Sequence, residues 1–250
     1  MKTMLKMYVV VGLVTCMTGV ANANLLTNGG MNDATVSSQL LATPTGYVAT
    51  SNHLNTNVPP DSDGLSSETF ANVELDTDTG DCRDPANSCG VFFKTFRGEA
   101  PSEGTFTLEA SLHQDTPATP GLTYTLLGWI AAGPGYSGED DSNGTVTEFG
   151  IEFLDGSGGV LGGDILSLTA ADLQQDTAFN RDYARYMATG VAPSGAVSVR
   201  SRMSISNAWN VVGAGDAALV TDLWTLSVPE PTSLMLIGVG LVGLLGVRRR

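Results

Sequence analysis

The strongest constraint on the fold is an alternation of apolar and polar residues between Ala196 and Ser206, in which Ser201 is the one polar residue on the apolar side. The side chains expected to face a core are Val197, Val199, Ser201, Met203 and Ile205. Successive side chains of a β-strand point to opposite faces, so this pattern predicts a half-buried antiparallel strand. The segment from Glu148 to Phe153 repeats it.

The rest of the chain agrees with an all-β fold. It contains 30 glycines, and the only plausible helix is short, over 170–175 with Thr169 as its N-cap. Short segments of β-forming residues separated by turns predict a two-sheet antiparallel β-sandwich of the jelly-roll type. The predicted strands lie at 47–49, 91–96, 104–111, 122–132, 145–154, 183–189, 196–206 and 218–227.

The first 23 residues have the organisation of a secretory signal peptide. Lys2 and Lys6 form a basic start, residues 7–20 are almost entirely apolar, and Ala21-Asn22-Ala23 provides a small-residue cleavage site. We therefore predict export by the secretion machinery and cleavage after Ala23, followed by a β-sandwich domain at 24–227. The alternative, a first transmembrane helix, is disfavoured by the short apolar run.

The C-terminal end combines three parts in series. They are the joint Pro229-Glu230-Pro231, the apolar run 234–247, and the terminal residues Arg248, Arg249 and Arg250. The prolines predict an extended, accessible joint. As a helix the apolar run is about 21 Å long, whereas a bilayer core is about 30 Å thick. The run therefore predicts a transmembrane helix that anchors the precursor transiently, with the arginines in the cytoplasm. A buried core helix is the alternative, but the basic end does not suit it.

This combination of Pro229-Glu230-Pro231, a short apolar helix and a basic end resembles the PEP-CTERM sorting signal of Gram-negative bacteria. The resemblance covers 228–250 and implies recognition by an exosortase, a membrane cysteine protease, with processing near the joint. It also implies a membrane-anchored precursor that is delivered to the cell surface, the outer envelope or the extracellular matrix. The activity of the preceding domain stays open.

Net charge limits the possible partners of the domain. Removing both predicted ends takes away five of 12 basic residues and one of 26 acidic residues, which leaves 24–227 near −18. Such a surface repels polyanions, and no basic patch is present that would follow a phosphate backbone. We therefore exclude nucleic-acid binding.

A second resemblance begins at residue 24, where the chain has the sequence Asn24-Leu25-Leu26-Thr27-Asn28-Gly29-Gly30-Met31-Asn32. This stretch is similar to the opening strand of galactose-binding-like jelly rolls and their carbohydrate-binding modules. Weaker similarity lies at 124–129, 153–158, 192–196 and Asp222. The resemblance implies a structural Ca²⁺ with oxygen ligands at Asn32, with Asp33 adjacent, and Asp222. Because Asn32 is neutral, the alternative is that these are ordinary turn and strand-end residues; no other cofactor is expected.

Three cysteines are present, and Cys16 lies in the predicted signal peptide. Cys82 and Cys89 are then the only pair in the exported chain, and oxidising compartments favour disulfides. We predict a disulfide between them. Two thiolates without a nearby histidine leave a zinc site incomplete.

Residues suited to catalysis are scarce. His53 and His113 have polar, turn-like surroundings, and nucleophile-elbow, metalloprotease and phosphate-loop motifs are absent from the sequence. Glu148 and Glu152 lie four residues apart on one predicted strand, at roughly 13 Å, which exceeds the spacing of glycosidase carboxylates. We predict that the protein is not an enzyme, with a glycoside hydrolase as the alternative because folding brings distant acids together.

Sugar recognition uses exposed aromatic faces and polar groups that fix the hydroxyls. Trp129 and Trp224 fall in predicted strands and are expected in the core. The candidate ligand-binding residues in or beside predicted loops are Tyr47, Tyr136, Trp209 and Asn210. Structural packing is the alternative for each aromatic residue among them.

These features together predict an exported, exosortase-sorted protein that binds carbohydrate or belongs to an exopolysaccharide-rich biofilm matrix. One alternative is a structural matrix protein without a glycan site. Others are a polysaccharide hydrolase and, from the Thr-x-Thr pairs at 105/107, 123/125 and 145/147, an ice-binding protein.

Overall fold

A computed structural model of the chain describes residues 23–31, 44–52, 64–67, 91–95, 107–173, 184–211 and 218–229. Asn24–Ser227 form one compact unit. Within the described ranges, no helix is both long and apolar enough to cross a membrane. Predicted features outside these ranges are the signal peptide up to Asn22, Asn32, Asp33, Cys82, Cys89, Glu230, Pro231, the helix 234–247 and Arg248, Arg249 and Arg250.

The described secondary structure consists of ten strands, the helix α1 (Ala170–Leu173) and two 3₁₀ turns at Ser137–Glu139 and Asp141–Asn143. The strands are β1 (Val48–Ser51), β2 (Gly64–Ser67), β3 (Val91–Lys94), β4 (Leu108–Pro117), β5 (Thr123–Ala132), β6 (Val146–Leu154), β7 (Val160–Ser167), β8 (Ala184–Val191), β9 (Ser198–Ala208) and β10 (Ala218–Ser227).

The strands form two antiparallel sheets of five. The order is β1-β4-β9-β6-β7 in the first sheet and β2-β3-β10-β5-β8 in the second. Strand β3 pairs with β10, β4 with β9, β5 with β8 and β6 with β7. This nested pairing is that of an eight-stranded jelly roll, to which β1 and β2 add one edge strand each. The prediction of an all-β jelly-roll sandwich is confirmed.

The sequence located eight of the ten described strands and missed β2 and β7. Strand β7 is exposed or half-buried at every position, so it has no apolar alternation to detect. Val197, which was expected to face the core, is 51% exposed because β9 begins one residue later, at Ser198.

The helix α1 begins where the sequence predicted. The backbone nitrogen and the hydroxyl of Thr169 both donate to Asp172 Oδ2, at 2.8 Å each. An acidic side chain three residues into a helix that accepts from the N-cap nitrogen is one half of a capping box. The described part of the helix ends at Leu173, which is buried.

Trp224 is fully buried between the two sheets. Its ring makes edge contacts with Phe149 and Tyr47, at centroid distances of 5.5 and 5.6 Å. Gly128 of β5 lies against this cluster, where an added Cβ would approach Phe149 Cζ to 2.7 Å. Glycine at this position therefore makes room for the aromatic pair, because close-packed cores do not absorb an extra carbon without strain.

The residues at 24–29 connect the two sheets. The Asn24 side-chain nitrogen donates to the backbone oxygen of Trp224 in β10, at 2.9 Å. The Trp224 nitrogen donates to Gly29 O at 2.7 Å, and a Cβ on Gly29 would collide with Trp224 O. On the other sheet, the Gln114 amide exchanges two hydrogen bonds with the backbone of Thr27. The opening Asn-Leu-x-x-Asn-Gly sequence therefore has a structural role in joining the sheets.

Candidate functional site

Strand β5 presents one face to the core and the other outwards. Along its first eight residues, half-buried and buried side chains alternate strictly. The half-buried set, which lies on the outer face of the second sheet, is Thr123, Thr125, Leu127 and Trp129.

Pairing with the neighbouring strands extends this outer face into rows. Directly opposite residues of antiparallel strands place their side chains on the same side, about 5 Å apart. Trp129 lies opposite Arg185 of β8 and Asp222 of β10. We define the tryptophan face as the exposed and half-buried members of these rows, which are Thr123, Thr125, Leu127, Trp129, Arg185, Met187, Thr189, Val191 and Thr225. Asp222 belongs to the row of Trp129 but is fully buried.

The tryptophan face combines apolar and hydrogen-bonding groups. Met187 and Val191 are each 60% exposed. The hydroxyls of Thr125 and Thr189 lie 3.1 Å apart, and Arg185 is exposed at the end of the row that contains Trp129. An indole ring with a cation in its own row can stack on a sugar ring, and hydroxyls farther along the strand can bind the hydroxyl groups of a glycan chain.

Trp129 is the residue that the sequence analysis placed wrongly. The sequence assigned both strand tryptophans to the core, and this is correct for Trp224, which is 0% exposed. Trp129 is half-buried and faces outwards. Residues two apart on a strand share a face, so Trp129 lies on the same face as Thr123 and Thr125. These polar neighbours could have predicted that Trp129 faces outwards.

The outer face of the first sheet has a different character, because its charged groups pair with one another. Arg200 binds Asp115 through two hydrogen bonds of 2.7 and 2.8 Å. Such bidentate pairs are stronger and more specific in geometry than single contacts. We define the arginine face as His113, Asp115, Glu148, Glu152, Arg200, Arg202 and Ser204.

Arg202 is central to the arginine face. Its Nη2 donates to Glu148 Oε2 at 2.6 Å, and its Nη1 donates to Ser204 Oγ at 2.7 Å. Its Nε lies 2.8 Å from Glu152 Oε1 in an ion pair that lacks hydrogen-bond alignment. Burial lowers the pKa of the neighbouring His113, and the positive charge of Arg200 lowers it further.

The position of Glu148 and Glu152 differs from the sequence estimate. Their spacing along the strand suggested well-separated carboxylates, but the structure brings both to the guanidinium of Arg202. The reason is the length of the two side chains, which lean toward the same arginine on β9. Arg202 therefore holds both carboxylates in ion pairs within the face.

Three of the four predicted ligand-binding residues are buried. Tyr47 is 7% exposed, Tyr136 is 1% and Trp209 is 6%, so the exposure expected for these rings is wrong. Tyr47 packs against Trp224, as described above. Burial removes the open ring face that a sugar would require, and the packing alternative applies to these three residues.

The structure does bring Tyr136, Trp209 and Asn210 together at one end of the sandwich. Tyr136 and Asn210 form an isolated antiparallel bridge. Ser137 nitrogen donates to Trp209 O at 3.2 Å, and Trp209 nitrogen donates to Ser137 Oγ at 2.9 Å. The Tyr136 hydroxyl lies 2.7 Å from Thr147 Oγ1. These bonds fasten the loop after β5 to the end of β9, which is a structural role.

Of the three predicted calcium ligands, the structure describes Asp222. Its carboxylate is fully buried, and Oδ1 accepts from Leu223 nitrogen at 2.6 Å, next to an irregularity in the β10 pairing. A buried carboxylate suits a cation site, but Asn32 and Asp33 lie outside the described ranges. Within those ranges, no three His, Cys, Asp or Glu residues are grouped to hold a metal. The calcium site stays a prediction.

The loop after β5 also contains an unusual carboxyl group. Burial raises the pKa of Glu139 to about 7. Glu139 ends the first 3₁₀ turn, beside α1. This raised pKa could not be predicted from the sequence, because desolvation depends on neighbours that are distant in the chain.

Comparison with known proteins settles the nature of the C-terminal end. Residues 227–250 match the family described as the PEP-CTERM protein-sorting motif. The tail is a PEP-CTERM sorting motif. This match confirms the sequence prediction and indicates an exported precursor that is processed by an exosortase. No curated protein matches the chain.

Several solved structures are similar to the chain at low identity. TmCBM61 in complex with β-1,4-galactotriose has 10% identity and a TM-score of 0.46, over 82% of this chain and 97% of that one. The CBM22-1 xylan-binding domain of Paenibacillus barcinonensis Xyn10C has 12% identity and a TM-score of 0.42, over 86% and 99%. The enzymatically active domain of bacteriophage CBA120 tailspike protein 4 has 13% identity and a TM-score of 0.48, over 82% and 21%. The chain thus spans about a fifth of that tailspike protein.

Proposed function

We propose that this protein is a non-enzymatic carbohydrate-binding component of the extracellular matrix, sorted by its C-terminal motif and binding glycan through the tryptophan face. The observation that supports the proposal is the half-buried Trp129 on the outer face of the second sheet, in one row with the exposed Arg185. Met187 and Val191 add exposed apolar surface beside it, and the threonines add hydroxyl groups.

The charge of the protein agrees with a neutral polysaccharide better than with a polyanion, since the predicted domain has a net charge near −18. The pairing of Glu148 and Glu152 with Arg202 favours binding without hydrolysis. A matrix protein that is released from its membrane anchor by an exosortase could associate with polysaccharide through such a binding face.

Tryptophan fluorescence provides a direct test. Of the three tryptophans in the chain, Trp209 and Trp224 are 6% and 0% exposed, so a surface ligand should change the emission of Trp129 selectively. The purified full-length protein would be titrated with neutral and acidic polysaccharides, including the exopolysaccharide of the producing bacterium.

We expect Trp129→Ala to weaken binding at least tenfold and Trp129→Phe to have a smaller effect, because the phenyl ring retains a stacking surface. Ser204→Ala on the arginine face is the matched control and should bind like the wild type. Wild-type protein that binds no polysaccharide, or Trp129→Ala protein that binds normally, would contradict the proposal.

Processing by the exosortase can be tested separately. Replacing Pro229, Glu230 and Pro231 with alanine should leave an unprocessed precursor in the membrane fraction, as seen by its mass. Replacing Thr232 and Ser233 with alanine is the matched control. Normal processing of the first variant would contradict the proposed role of the joint and would leave the glycan proposal untouched.

A further inference from the structure

The turn between β5 and β6 contains the sequence Asp141-Ser142-Asn143-Gly144-Thr145. The pattern Asn-x-Ser/Thr, with x other than proline, is the acceptor motif for N-linked glycosylation of exported proteins. Asn143 is the only asparagine of the chain in this pattern. The motif alone is common by chance, so its surroundings decide whether it can function.

The structure places the motif on an accessible turn. Gly144 is exposed and Asn143 is half-buried. Gly144 has a φ of 71°, in the left-handed region where glycine has little steric cost. This conformation turns the chain so that Asn143 and Thr145 contact the same residue. Asn143 Nδ2 donates to Ser137 O at 2.9 Å, and Thr145 Oγ1 lies 2.7 Å from Ser137 Oγ.

The acceptor nitrogen retains the capacity to form a new bond. A primary amide nitrogen has two hydrogens. One of those of Asn143 donates to Ser137 O, and this is the only hydrogen bond of that nitrogen within the described ranges. N-glycosylation replaces one hydrogen by a sugar carbon and leaves the other, so the attached glycan is compatible with the bond to Ser137. The folded turn therefore need not open permanently to hold a glycan.

We propose that Asn143 is an N-linked glycosylation site. The donor would be a lipid-diphosphate-linked oligosaccharide, and a membrane transferase of the producing cell would catalyse the transfer outside the cytoplasm. The bond from sugar C1 to the diphosphate oxygen breaks, and a bond from C1 to Asn143 Nδ2 forms. The amide proton passes to a base of the transferase, and the lipid diphosphate leaves. This site is independent of the tryptophan face, which lies on the outer side of the second sheet.

The test uses the purified full-length protein with a bacterial oligosaccharyltransferase and its lipid-linked donor, followed by intact-mass and glycopeptide analysis. We expect one glycan on the peptide that contains Asn143. Asn143→Gln and Thr145→Ala should each lose it, and Thr145→Ser should retain it. The matched control is Asn207→Gln, because the Asn207 amide donates to Gly144 O at 3.0 Å in the same turn but lies outside the motif.

A synthetic peptide of residues 137–149 separates recognition of the motif from access in the fold. Modification of both peptide and protein supports the proposal. Modification of the peptide without the protein shows that the fold closes the site and overturns it. An unmodified peptide, with a standard acceptor peptide modified in parallel, overturns it as well, because the motif itself is then not recognised.

Discussion

The two outer faces of the sandwich are built from equivalent antiparallel strands but satisfy their polar groups differently. On the arginine face, Arg200 and Arg202 bind three carboxylates within the face itself. On the tryptophan face, Arg185 takes part in none of the ion pairs between described residues. Met187, Thr189 and Val191 of the tryptophan face are exposed, and Thr123, Thr125, Leu127 and Thr225 are half-buried.

This difference indicates that one face contributes mainly to stability and the other to ligand binding. A network whose charges are already paired contributes to the stability of the folded state and gains little from a ligand. Groups that are hydrogen-bonded to water can exchange that water for a ligand at little cost to the fold. The arginine face is therefore expected to stabilise the sandwich, and the tryptophan face is expected to bind.

The largest expected effect on stability is that of replacing Arg202, and it tests the difference between the two faces. Arg202→Ala leaves Glu148 and Glu152 close together without their cation, and we expect the free energy of unfolding to fall by about 2 kcal/mol. Arg185→Ala on the other face should change it by less than about 0.5 kcal/mol. Urea denaturation of both variants measures the difference, and equal losses would contradict the assignment of different roles.

A second prediction uses Glu139, which belongs to neither face. Its pKa is raised to about 7 in the folded protein from an ordinary value of 4.5. The folded state therefore binds this proton more tightly, and its stability should fall as the pH rises from 4.5 to 7. Glu139→Gln should remove this loss, which we estimate at about 1 kcal/mol because the group is half-exposed.

The measurement is urea denaturation at pH 5 and pH 8. Glu109→Gln, at an exposed position of β4, is the matched control and should retain the wild-type dependence. Glycan affinity should be the same in both variants, since neither residue lies on the tryptophan face. If the stability of Glu139→Gln protein depended on pH as that of the wild type does, the raised pKa of Glu139 would be contradicted.

A third prediction concerns His113, whose pKa is lowered by burial and by Arg200. The unfolded chain binds this proton more readily, so stability should fall as the pH decreases below the ordinary value of 6.5. His113→Gln should reduce that fall, whereas His53→Gln should not. Thermal unfolding between pH 7 and pH 5 measures this loss of stability. The His113 variant is best made in Glu139→Gln protein, because Glu139 changes the stability in the opposite direction over this pH range.

The smallest expected effect lies on the tryptophan face. Thr125→Val removes a hydroxyl that lies 3.1 Å from that of Thr189, both accessible to water. We expect the free energy of unfolding to change by no more than about 0.5 kcal/mol. Glycan affinity should change more than stability, and the reverse result would show that this face is structural.

The sequence predicted the sandwich well because its strands alternate locally. Strands β6 and β9 were placed within about two residues of their observed limits, since apolar parity is visible in a short window. Strand β7 was missed because an edge strand that is exposed on both sides has no such parity. The candidate ligand residues were less successful, since Tyr136 and Trp209 lie in loops that fold inwards.

The sorting signal of the protein could be predicted from the sequence alone. A proline joint, an apolar run and a basic end are recognised as a linear segment, so the PEP-CTERM motif was predictable without a fold. The tertiary structure decided which polar groups meet. Arg202 and Glu148 lie 54 residues apart in the chain, and their contact depends on the register between β6 and β9. Trp209 is buried through hydrogen bonds to Ser137, which lies 72 residues earlier, and no local pattern encodes such a contact.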